Sequence, residues 1–243
     1  MTDSQNIELL QKKLKHAQEW MAREIENAEQ VRKNKLIKDN ATIIWKEFNV
    51  TQKIQYFLED FSPQDIPQWT IENIRSSEIL FEHILEGYHL DGTAVIVGYQ
   101  KVLDLLVEIK ITEWFRKFIQ EKWISHAPEN KVLEKSFYAI NANHYTLWLW
   151  RLYQALQKIK NNKIDGLYLL HFSQYIHSHS SLKKSLLESD FFLQLEQLVN
   201  SNAVWEKRHQ WSLSLQDTKI CRELCIWNLY EKNCLIYILL NTD

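Results

Sequence analysis

Apolar side chains recur at intervals of three and four residues along nearly the whole chain, the spacing that gathers them on one face of an α-helix. Ile7, Leu10, Leu14, Ala17 and Met21 follow a 3-4-3-4 rhythm that continues through Glu24, Ala28 and Val31. This predicts one long amphipathic, coiled-coil-like helix over residues 5–39, although Glu24 and Lys35 interrupt its seam. Such a seam can be covered by a second copy, by a partner, or by the body of the chain. A second helix is expected from Ile43 to Leu58, with Ile44, Phe48 and Phe57 as its apolar positions. Ser62-Pro63-Gln64-Asp65, followed by Pro67, is the clearest punctuation, since Ser62 can cap a helix and proline suits a first helical position. The boundary between an N-terminal arm, 1–61, and a helical bundle, 62–243, is drawn there.

From Thr70 onward the pattern is helix after helix. Residues Thr70 to Tyr88 carry Ile71, Ile74, Ile79, Phe81, Ile84 and Leu85, with Gly87 as a stop. Asp91 or Thr93 opens a long helix through Val95, Tyr99, Val102, Leu106 and Ile109, running on to Trp114, Phe115, Phe118 and Ile119. One helix is expected over Lys131 to Lys160, then a polar turn at 161–166, then a helix from Gly166 to Ile176. The Ser-rich stretch SHSSLKKS reads as a loop or cap, Asp190 opens a further helix, and a last helix is expected from Asp217 to Leu240. No repeat of fixed period is present, which disfavours a solenoid. The fold class is therefore all-α, a multi-helix bundle with a long N-terminal amphipathic helix.

Composition sharpens this picture in two ways. Four Gly and three Pro in 243 residues are too few for an all-β fold with many tight turns, or for nucleotide-binding loops built on repeated glycine. The 29 basic and 31 acidic side chains nearly cancel to a net charge of -2, so any affinity for nucleic acid or an anionic membrane must come from a local patch. The opening MTDSQNIELLQKK lacks the basic and apolar blocks of a secretory signal, and the strongest apolar run, Cys234 to Leu240, is far too short to span a bilayer. A cytoplasmic location without membrane contact is expected.

Candidate chemistry is sparse. Cys221 and Cys225 share a helix face and Cys234 follows, but no second pair of metal-ligand spacing exists, so reduced buried thiols are the expectation. His171, His177 and His179 form the densest histidine group without any HExxH pattern, and they are expected at the surface or at helix ends. The chain has no nucleophile elbow, and Gly92 and Gly98 match neither phosphate-binding fingerprint. No catalytic residues, metal site or cofactor are expected. Trp148, Trp150, Trp205 and Trp211 lie near Arg151, Lys207 and Arg208, an arrangement that could stack and neutralise single-stranded nucleic acid. Trp148 and Trp150 cannot both face one way on a helix, which leaves at least one exposed or at an interface.

Two segments carry a resemblance. LDGTAVIVGYQKVLDLLVEIKITEWFRKF, residues 90–118, and SNAVWEKRHQWSLSLQDTKICRELCIWNLYEKNCLIYILL, residues 201–240, resemble parts of the helical HEPN-like domains of prokaryotic defence and stress proteins. Active members of that family cut RNA with an Arg and a His four to six residues apart, whereas Arg208 and His209 are adjacent here. The resemblance therefore implies a non-catalytic version used as a binding scaffold. It also brings Asp104 and Glu108 near a polar position that some members use.

The expectation from sequence is a non-enzymatic interaction protein, an accessory component of a defence or stress-response assembly. It would engage a protein partner or a second copy through Ile7, Leu10, Leu14 and Met21. The alternative is an RNA binder or divergent ribonuclease using Arg151, Lys207, Arg208 and His209.

Overall fold

The structure, a computed structural model, describes residues 15, 21, 23–27, 29–35, 45–62, 64–87, 91–129, 131–142, 147–200, 213–226 and 232–242. The chain divides into two units, 1–49 and 50–243. Every described residue of the first unit is helical. Ile7, Leu10 and Leu14 lie outside the described residues, and so does most of the expected N-terminal helix.

The second unit is all-helical, with no strand among the described residues. It opens with helical residues 50–57, followed by α1 (Gln68–Leu85), α2 (Thr93–Val107) and α3 (Glu113–Glu121). Next come α4 (Val132–Asn141), α5 (Leu149–Lys160), α6 (Leu167–Ser178) and the short α7 (Ser180–Lys183). Helices α8 (Phe191–Asn200), α9 (Leu215–Ile226) and α10 (Leu235–Leu240) follow among the described residues.

Helix α2 lies at the centre, touching α1, α5, α9 and α10. Its buried side chains, including Val95, Tyr99, Val102 and Leu106, are the ones the 3-4 spacing predicts. The approach to α1 is close because position 98 has no side chain: a Cβ on Gly98 would lie 2.0 Å from Ser77 Oγ. A second focus of the core is aromatic, with the Phe115 ring of α3 5.6 Å from Phe137 of α4 and 5.0 Å from Phe172 of α6, both edge-on. Val50, Ile54, Phe57 and Leu58, which the Ser62-Pro63 punctuation assigns to the arm, are buried in the second unit. They close on α10, where Tyr237 meets Phe57 and Phe61 and donates a hydrogen bond to Asp60 at 2.7 Å.

Helix ends are fixed by short-range chemistry. Gly87 follows α1 with φ of 84°, a conformation that glycine reaches without a Cβ clash. The Asp91 carboxylate accepts the Thr93 N–H at the start of α2 and, across the fold, the Leu213 N–H at 2.8 Å. Ser214 accepts the Asp217 N–H and donates to the Asp217 carboxylate, opening α9.

Three expectations need correction. The helix predicted over Lys131 to Lys160 is two: α4 ends at Asn141, and Trp148 has extended backbone before α5, which lets Leu147 and Leu149 both enter the core. The helix predicted from Asp217 to Leu240 is likewise two, because Cys234 is extended ahead of α10. Conversely, the Ser-rich stretch expected as a loop or cap is helical from Ser180 onward, with His179 extended as the cap before it, since Leu182 and Leu186, one turn apart, are both buried.

The long central helix also holds a π-helical turn at Glu108–Thr112. Val107, Ile111, Phe115 and Ile119 are all fully buried at four-residue spacing. In a 3.6-residue helix each such step drifts by about 40°, and the extra residue of a π-turn takes up that drift. A second π-turn, Lys184–Glu188, joins α7 to α8. No helix among the described residues is long and apolar enough to cross a membrane.

Candidate functional site

A buried polar group of the second unit joins three helices. Glu78 of α1 is fully buried, and its carboxylate receives Arg222 Nε of α9 at 2.9 Å and a second guanidinium nitrogen at 2.8 Å. The Tyr99 hydroxyl of α2 donates to the same carboxylate, and the Arg222 guanidinium lies 4.7 Å from the Phe81 ring centroid. Burial, with the Glu78 charge beside it, pushes the Tyr99 phenol well above its ordinary value. Burial works against the Arg222 charge, but the Glu78 bonds outweigh it and hold the guanidinium protonated. Both Glu78 oxygens and the Tyr99 hydroxyl are used within this group, so it joins helices.

The three cysteines are buried and free, as the sequence led us to expect. Desolvation raises the thiols of Cys221 and Cys234 to about 12 and that of Cys225 well above the usual range, so they are poor nucleophiles and poor metal ligands.

A second buried carboxylate shapes a surface cleft. Glu134 of α4 accepts the N–H groups of Tyr168 at 3.1 Å and Leu169 at 2.9 Å, capping the first turn of α6 from another helix. Beside it lies a cleft of about 290 Å³ whose lining includes Lys131, Arg151, Gln154, Lys158 and Asp165. Arg151 and Lys158 stand seven residues apart on α5 and so share a helix face. Lys158 Nζ lies 2.7 Å from both Asp165 carboxylate oxygens, and Lys131 donates to the Asp165 main-chain oxygen. The Lys158 bond holds the Asp165 carboxyl below its ordinary value, and the Glu129 carboxylate, 2.7 Å from Lys131, holds that ammonium above its own. Arg151 donates to Gln154 Oε1 at 2.7 Å, and no carboxylate among the described residues pairs with it.

Of the expected partner-binding residues, Met21 is helical and 51% exposed. Of the residues assigned to nucleic acid, Arg151 lines the cleft, while Lys207, Arg208 and His209 lie outside the described residues. The histidine group is not brought together as ligands: His177 and His179 each engage a backbone carbonyl one turn earlier, at 2.7 and 2.9 Å. Among the described residues no three His, Cys, Asp or Glu side chains are grouped to hold a metal ion. Asp104 of α2 accepts the Leu149 N–H of α5 at 3.4 Å and so joins two helices, whereas Glu108 pairs at 3.2 Å with Arg116 farther along the same long helix. Trp148 is exposed while Trp150 packs on the core beside Tyr153.

Sequence reasoning missed Lys131 and Lys158, whose meeting depends on a turn that folds Asp165 back between them. It also missed Trp123, which ends α3 in the left-handed region, φ 53°, with 90% of its surface exposed. An aromatic residue there costs about 1–2 kcal/mol relative to glycine, and no periodicity signals it. Comparison with known proteins adds no relative: no family model, curated protein or solved structure matches the chain.

Proposed function

We propose that this protein is a non-enzymatic helical interaction protein whose first unit supplies the docking surface, as an accessory component of a prokaryotic defence or stress-response assembly. The assembly type follows from the resemblance to HEPN-like domains in residues 90–118 and 201–240. The docking element is the long amphipathic helix that the 3-4 seam predicts from the N-terminus, with Ile7, Leu10, Leu14 and Met21 as its contacts.

One observation carries the reading. Met21, Ile25 and Val31 are helical and 51%, 61% and 69% exposed. Met21 and Val31 fall on the seam, and Ile25 sits one turn beyond Met21. Large apolar side chains held in water on one side of a helix are the hallmark of helix-in-groove or coiled-coil association. The inward use of Glu78, Glu134 and the three thiols fits a scaffold better than a catalyst.

The test is purification of the tagged full-length protein under native conditions, beside the variant M21E/I25E/V31E, with mass spectrometry of what remains bound. A stoichiometric protein partner or second copy is expected with the unaltered chain and lost from the variant. Retention of the same bound protein by the variant would overturn the reading.

A further inference from the structure

The cleft beside α4 and α5 has an electrostatic arrangement that the interaction reading does not use. Three cations, Lys131, Arg151 and Lys158, line it together with the carboxylates of Glu134 and Asp165. Glu134 is turned inward, with both oxygens accepting the N–H groups of Tyr168 and Leu169, so its hydrogen-bonding capacity is spent within the fold although its charge remains. Asp165 is engaged with Lys158 and Glu129 with Lys131, each at 2.7 Å, so both ammonium groups already carry a carboxylate that a ligand must share or displace. Arg151 has only the Gln154 amide oxygen as a partner among the described residues, leaving most of its planar fork of five N–H donors for something else.

We propose that this cleft binds a small phosphate monoester, with Arg151 gripping two phosphate oxygens and Lys158 and Lys131 completing the cradle. A guanidinium fork matches the spacing of phosphate oxygens, and two nearby ammonium groups suit a ligand with nearly two negative charges at neutral pH. The volume of about 290 Å³ holds a phosphate with a small organic group and lies at the lower end of small-molecule sites. Asp165 competes with the ligand for Lys158, so its charge sets the affinity from within.

The experiment is titration of the full-length protein at low ionic strength with inorganic phosphate, ribose 5-phosphate and a short single-stranded RNA, followed by calorimetry and by amide shifts. Saturable one-to-one binding of both small phosphates is expected. R151Q should weaken it by about tenfold or more, since a charge-assisted hydrogen-bonded pair is lost. R151K should recover part of the loss, and D165N should tighten binding by removing the competing carboxylate. Absence of saturable binding by either small phosphate up to tens of millimolar would overturn the proposal, as would equal binding by R151Q. RNA binding that the small phosphates fail to compete would also overturn it, in favour of a polynucleotide surface.

Discussion

The carboxylate of Glu134 fills the space a side chain at position 166 would need: a Cβ on Gly166 would lie 2.2 Å from Glu134 Oε1. Gly166 has extended backbone, φ -170°, so the requirement is spatial and not conformational. The absence of one methyl group lets a carboxylate on α4 cap α6.

This relationship predicts a coupled pair of substitutions. G166A forces the buried carboxylate aside and should destabilise by about 1–3 kcal/mol. E134A leaves two buried N–H groups without an acceptor and should cost a similar amount for each. In the double variant the alanine at 166 meets no carboxylate, so the combined loss should fall short of additivity by about 1 kcal/mol or more. Urea denaturation of the four proteins checks this, and simple additivity would contradict it.

The Glu78–Arg222 pair makes a different prediction. Both members are taken from water, Glu78 completely, so removal of one strands the other. R222M should destabilise by about 3–5 kcal/mol, lowering Tm by on the order of 10 °C in a chain of this size. E78L/R222M, which removes both charges, should recover a large part of that loss. A thermal melt in which the double variant is less stable than R222M would contradict the account.

Much of the architecture was legible because burial and period coincide. Tyr99, Val102 and Leu106 are buried where the 3-4 spacing places them, and Gly87 stops α1 as its residue type suggests. Periodicity is blind to a break that keeps its phase, and so α4 and α5 read as one helix, as did α9 and α10. Composition misled at the serines of 178–185, where two leucines a turn apart outweigh the polar residues around them. The cleft was nearly invisible for another reason. Arg151 stood out beside tryptophans, but Lys131, Lys158 and Asp165 become neighbours only through tertiary packing, on which spacing within one helix is silent.

Asp91 supplies a pH dependence. Burial alone would raise its pKa, but the N–H groups of Thr93 and Leu213 and the Thr93 hydroxyl outweigh it and set the value below that of a free aspartate. A depressed folded value means that the ionised form is the stabilising one. Its contribution is complete above the unfolded value of about 3.9 and is lost as pH falls through the lower folded value. D91N should therefore make stability less steep in pH below about 4, read as the urea midpoint against pH. Parallel curves for the two proteins would show that Asp91 carries no such linkage.

The central claim is that exposed apolar residues of the first unit hold another protein chain. Sedimentation equilibrium of the species purified under native conditions, at micromolar concentration, measures this most directly. The account predicts a mass well above the 29.2 kDa of one chain, falling to that value in M21E/I25E/V31E, which keeps a helical circular-dichroism spectrum and a cooperative melt. A mass of one chain for the unaltered protein, or an equally large mass for the variant, would contradict it.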